Sequence, residues 1–315
     1  MEKDAVVAKR GGTISSKLKD YGQLMKFTLS FTVVFSSVVC YLLVPDVSFD
    51  LISVLLLFVA GMLVTGSANA INQVTEKETD ALMKRTANRP VASGRMSVDE
   101  AWTFALIAGV VGIFIMGAWF NPAAALLSGF SLFLYGFVYT PLKKVHSIAV
   151  LVGAVPGALP CLIGWVAGAD AFTAGGWILF ALQFVWQFPH FWAIAWVVYS
   201  DYSKAGFRLL PSAEGPTKYA AIQAVLYSAI LIPIGFLPYF FRMSGFYSAI
   251  VIAVANVFML WQCIRLFRDM DIKAARRVMF SSYIYLPVVL LALLADKRTH
   301  EHIVIATYKF GQWLM

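Results

Sequence analysis

The chain has 315 residues, 60% of them hydrophobic and only 13% charged, with a net charge of +8. A soluble domain carries roughly 45–50% apolar and about 25% charged residues, so a water-soluble globule is excluded. Nucleic-acid binding is excluded too, because the basic residues sit between apolar runs, each long enough to cross a hydrocarbon core of about 30 Å.

Residues 1–23 read as a basic polar tail, with Lys9, Arg10, Lys17 and Lys19 available to anionic headgroups. The tail contains acids and lacks a short apolar core directly after its basic residues, so it reads as neither a cleaved signal peptide nor a typical transit peptide. Spans are predicted at 24–44, 51–71, 100–119, 121–140, 147–168, 175–199, 218–241, 245–265 and 278–295. The expected architecture is all-α: a polytopic membrane protein with an intramembrane domain of nine transmembrane helices over 24–295. The fifth span contains Pro156, Gly157 and Pro160, which interrupt a helix in lipid unless the freed carbonyls face protein or a cavity. Cys40, Cys161 and Cys263 lie inside apolar runs without metal-ligand spacing and read as packing residues. A C-terminal tail, 296–315, is amphipathic around Ile303–Leu314.

All 25 Lys and Arg except Arg242, Lys297, Arg298 and Lys309 fall in the N-terminal tail or in loops after even-numbered spans. The positive-inside rule makes that side cytoplasmic and the C-terminus external, with a bacterial inner membrane as the expected location. Both charged motifs described next therefore face the cytoplasm.

The second span delivers the most informative stretch, NAINQVTEKETDALMKRTANRPVASGR at 69–95. Asn72, Glu76 and Asp80 recur every fourth residue, so a regular helix holds them on one face over about 12 Å. Glu78 falls about 160° away and is left out. Lys84, Arg85 and Arg89 follow, and Pro90 marks a stop. Hard oxygen ligands next to guanidinium and ammonium groups suit a magnesium–diphosphate site. The plain alternative is a solvated charged loop.

Tyr139 and Lys143, four apart after the fourth span, can face one cavity; Lys143 reads as a positive-inside anchor or, beside the first motif, as a diphosphate contact. Span six ends in FVWQFPHFWAIAWVVYSDYSKAG. Gln187 and His190 lie within its apolar run, where polar groups mark function or helix packing. Trp186 and its aromatic neighbours suit the wall of a flat acceptor site or an interfacial belt. Asp201, Tyr202 and Lys204 stand at the boundary beyond it.

With these residues the chain resembles the UbiA superfamily of intramembrane prenyltransferases over about residues 20–295, and within it the haem-farnesylating branch. The superfamily's N-x3-D-x3-D appears as Asn72, Glu76 and Asp80, followed by MKRTANRP at 83–90. Its Y-x3-K is Tyr139 and Lys143; WQFPHFWAIA at 186–195 and DYSKAG at 201–206 carry the branch signature. Glu76 stands where Asp is usual, and Lys26-Phe27-Thr28 where the branch commonly has Lys-Pro-Arg. His146 and Ala149 stand where a Thr and an Asn are usual.

The resemblance implies nine transmembrane helices around a central cavity. It implies one or two Mg²⁺ ions on Asn72, Glu76, Asp80 and Asp201. Farnesyl diphosphate would be held by Lys84, Arg85, Arg89, Tyr139, Lys143 and Lys204. Haem B would be the acceptor, near Trp186, Gln187, His190 and Tyr202, giving haem O. Haem A synthase or a terminal-oxidase assembly factor would be the protein partners. A quinone-precursor or chlorophyllide prenyltransferase expects a second acid cluster after span six, where this chain has only Asp201. A transporter expects acids paired near the bilayer midplane, whereas these lie at its edge.

Overall fold

The computed structural model describes residues 14–45, 47–212 and 214–299. The described residues form helices, with one isolated bridge between Ser244 and Lys297. Helix α1, Ile14–Leu24, meets α2, Phe27–Leu43, at a 54° bend. Then come α3, Leu51–Thr75, and the short α4, Lys77–Leu82. Helix α5, Val98–Ile115, continues as a π-helical turn to Phe120. Helix α6, Pro122–Phe133, continues as a second such turn to Tyr139 and closes in α7, Thr140–Leu142. The remainder are α8, Ala149–Ala169; α9, Ala174–Val197; α10, Tyr199–Lys204; α11, Lys218–Phe240; α12, Phe246–Asp269; and α13, Ile272–Ala295. Among the described residues, eight helices are long and apolar enough to cross a membrane, and the bent α1–α2 pair, taken as one span, makes the expected ninth.

Capping residues set where these helices start. Asp50, Ser97, Asn121, Thr217 and Asp271 each accept a backbone N–H from the first turn of α3, α5, α6, α11 and α13. Helices α5 and α13 thereby begin at Val98 and Ile272, ahead of the apolar runs that place their starts at 100 and 278. The polar tail is likewise helical from Ile14, and its Lys17 and Tyr21 bond Glu100 on α5. Lys9, Arg10 and the stretch Ile303–Leu314 lie outside the described residues.

Helix α8 is the most enclosed span and packs on α2, α6 and α9. It runs unbroken through Pro156 and Pro160. Pro160 lacks the N–H that would bond the Pro156 carbonyl, and Ser131 Oγ donates to that oxygen at 3.3 Å. Gly164 lets α8 approach α2 so closely that any Cβ would collide with the Ser37 backbone. Around α9, the helices α11, α12 and α13 form the main buried cluster. The bundle thus brings the loops after α3, α7 and α9 to one end.

Candidate active site

The expected regular helix through 72–80 does not form; α3 ends at Thr75, and Glu76 sits at the break before α4. Backbone bonds still run from Glu76 N to Asn72 O and from Asp80 N to Glu76 O, so the one-face arrangement survives. Asn72, Glu76 and Asp80 are all buried, while Glu78 is exposed as its spacing predicts.

Each of the three meets a cation or hydroxyl from elsewhere in the chain. Asn72 Oδ1 accepts from Lys26 Nζ at 2.8 Å, and its Nδ2 donates to Thr140 Oγ1 at 3.3 Å. Glu76 Oε1 lies 2.6 Å from Lys143 Nζ. Asp80 takes Arg89 NH1 on both oxygens, at 2.8 and 2.7 Å. Burial pushes the Asp80 carboxyl above the usual carboxylate range, and the Arg89 guanidinium pulls it part of the way back. Lys143 Nζ also sits 4.8 Å from the Tyr139 ring centroid and 5.4 Å from that of Phe207.

Sequence reasoning assigns no site role to Lys26, Thr140 or Phe207. A lysine at the start of an apolar run reads as a membrane anchor; only packing places it against Asn72. Lys26 adopts a left-handed backbone, φ 50°, at the α1–α2 bend, and lies within electrostatic reach of Arg89, Lys143, Glu76 and Asp80.

The second charged loop closes over the first. Arg208 N donates to Lys143 O at 2.8 Å, and Met83 packs with Ala205 and Phe207. Tyr202 is half-buried and tilts its ring toward Phe207 at 5.6 Å. Tyr202, Tyr199, Phe207 and Arg208 line a cavity of about 220 Å³ at this end. A larger groove of about 450 Å³ lies away from the acids, against Tyr21, Glu100 and Phe104.

Other expected residues are placed differently. Lys84, Arg85 and Lys204 are exposed, and no ion pair engages them among the described residues. Asp201 is half-buried in the first turn of α10 and does not converge with Glu76 and Asp80. Among the described residues, no three His, Cys, Asp or Glu side chains gather around one point, because Glu76 and Asp80 turn onto Lys143 and Arg89. Gln187 donates from Nε2 to Ala154 O and Gln183 O, both at 3.1 Å, so its amide braces α9 against α8. His190 stacks on Trp186 with centroids 4.8 Å apart, and its Nδ1 lies 2.7 Å from Ser282 Oγ.

The donor set fits a hard divalent cation in kind. Asn72, Glu76 and Asp80 offer buried oxygens, which a cation would share with or take from Lys26, Lys143 and Arg89. Lys26, Lys143 and Arg89 supply the countercharge a diphosphate needs.

Comparison with known proteins bears on the family and the fold. The profile of the UbiA prenyltransferase family matches residues 33–285. The chain is 43% identical over 284 residues to the protoheme IX farnesyltransferase of Cytophaga hutchinsonii, covering 90% of this chain and 99% of that one. It is 41% identical over 293 residues to that of Christiangramia forsetii, covering 92% and 97%. A solved structure of digeranylgeranylglyceryl phosphate synthase superposes with TM-score 0.74 at 21% identity, covering 89% of this chain and 98% of that one. A UbiA homolog from Archaeoglobus fulgidus bound to GPP and Mg²⁺ superposes with TM-score 0.65 at 17% identity, covering 87% and 99%. The chain belongs to the UbiA prenyltransferase family.

Proposed function

We propose that this protein transfers a farnesyl group from farnesyl diphosphate to a vinyl group of haem B, giving haem O and diphosphate. The observation that carries the acceptor is identity of 43% along nearly the whole length of a protoheme IX farnesyltransferase. The buried acid–cation cluster carries the chemistry. When the allylic C–O bond ionises, both electrons go to the diphosphate, and the farnesyl C1 becomes a cation. Lys26, Arg89 and Lys143 hold the departing charge at fixed positions in a poorly solvated site, where such charges act most strongly. Mg²⁺ on Asn72, Glu76 and Asp80 would supply Lewis-acid neutralisation of the diphosphate. Exposed Lys84, Arg85 and Lys204 would capture the anion at the mouth.

The vinyl π electrons form the new carbon–carbon bond to C1. Water then adds to the carbon left electron-poor and releases a proton, completing the hydroxyethylfarnesyl chain. Tyr139 and Phe207 present ring faces beside Lys143, which suits an allylic cation and keeps bulk water out. The loop end carrying these groups faces the cytoplasm in this reading, with the chain in a bacterial inner membrane.

Purified protein supplied with haem B, farnesyl diphosphate and Mg²⁺ should yield a haem heavier by a hydroxyfarnesyl unit, and EDTA should stop its formation. No heavier haem, with farnesyl diphosphate still bound only when Mg²⁺ is present, would reject haem as the acceptor.

A further inference from the structure

Helices α9 and α13 hold a polar group that the diphosphate chemistry does not use. His190 Nδ1 lies 2.7 Å from Ser282 Oγ, and proton counting gives that bond its direction. Ser282 Oγ is also 2.6 Å from the Met279 carbonyl, which can only accept, so the single hydroxyl proton is committed there. Oγ must then accept from Nδ1–H of a neutral imidazole. The ring is held in one tautomer, and the lone pair lies on Nε2, which has no hydrogen-bond partner among the described residues. A metal-binding histidine has this form: one nitrogen donates to a fixed oxygen, which orients the ring and raises the basicity of the other.

Two further observations point to a ligand here. The Trp186 indole stacks on the imidazole at 4.8 Å and 20°, and its Nε1–H is buried without an acceptor. Tyr283 meets the imidazole in an edge-to-face arrangement at 5.2 Å and lies within electrostatic reach of Arg85 and Tyr202. The constellation therefore adjoins the candidate site. His190 is seven residues before the end of α9, about 10 Å below the charged end. A free Nε2 lone pair beside an unpartnered indole N–H suits a ligand that carries both a metal and acceptor oxygens, as a metalloporphyrin with its carboxylates does.

We infer that His190 is the axial ligand of the acceptor haem iron through Nε2, with Ser282 as the positioning residue that fixes its tautomer. This rests on haem being the acceptor. Ligation from one side would hold the iron and the plane of the macrocycle at a fixed depth below the diphosphate end.

The test is spectroscopic, on purified protein in detergent titrated with ferric haem B and, separately, with metal-free protoporphyrin IX. Wild type should show an imidazole-ligated Soret band and electron paramagnetic resonance signal. His190→Ala should lose both, and added imidazole should restore them. Ser282→Ala should keep the imidazole signature but bind haem about tenfold more weakly. Protoporphyrin IX should bind wild type and His190→Ala alike. His190→Met, close in volume, should give a shifted, thioether-type spectrum, and Mg²⁺-dependent farnesyl diphosphate binding reports that each variant is folded. An unchanged haem spectrum in His190→Ala or His190→Met overturns the inference, as does equal loss of haem and protoporphyrin IX. Wild type that binds neither porphyrin, yet binds farnesyl diphosphate, overturns the haem-acceptor reading itself.

Discussion

The Asp80–Arg89 pair makes opposite predictions for stability and for turnover, and one pair of variants separates them. Asp80 is fully enclosed and accepts two contacts from Arg89, whose side chain remains 17% exposed. Removing the cation with Arg89→Gln strands a buried carboxylate. Breaking a buried pair in that way costs about 3–5 kcal/mol, and water at the loop end favours the lower figure. For a chain of this size, about 3 kcal/mol lowers the unfolding midpoint by roughly 4–5 °C. Asp80→Asn is milder, because Asn still accepts from Arg89 through its carbonyl and the guanidinium can reach water. About 1.5 kcal/mol is expected, the low end of the range for one lost charge-assisted bond. Turnover should run the other way. Asn replaces a charged hard ligand by a neutral one, so Asp80→Asn should lose on the order of a thousandfold in kcat. Arg89→Gln should retain measurable activity below its melting point. Thermal unfolding in detergent and product formation on the same preparations give all four numbers. Asp80→Asn that turns over normally, or that is destabilised as much as Arg89→Gln, would refute the reasoning.

Lys26→Met should raise KM for farnesyl diphosphate by about tenfold or more while leaving haem affinity unchanged, since it removes one buried cation from the diphosphate end. Equal loss of both affinities would show that Lys26 only holds the α1–α2 bend. Gln187→Leu should cost about 1–3 kcal/mol in thermal stability through the hydrogen bonds to Ala154 and Gln183, yet leave the haem spectrum intact. A changed spectrum would return Gln187 to the acceptor pocket. Gly153→Ala should slow turnover without unfolding the chain, because the added Cβ would meet the Tyr139 ring at 2.6 Å and shift it beneath Lys143. Unaltered kinetics would count against a role for that ring.

Hydropathy and charge placement are local properties, and they fixed the nine spans, the end carrying the charged loops and the four-residue spacing of Asn72, Glu76 and Asp80. That spacing survives even though the helix breaks at Glu76, because the backbone bonds bridging the break keep near-helical geometry. Choice of partner is a different matter. Lys26 and Asn72 are 46 positions apart, and nothing in either neighbourhood distinguishes Lys26 from an interfacial anchor. Gln187 and His190 sit three residues apart on one apolar helix and look equivalent as intramembrane polar groups. Only packing separates them, because Gln187 faces α8 at Gly157 and finds backbone carbonyls, while His190 faces α13 and finds a hydroxyl already committed to Met279. A hydrogen bond between helices depends on which faces meet and how deeply, and those quantities exist only once the bundle is assembled.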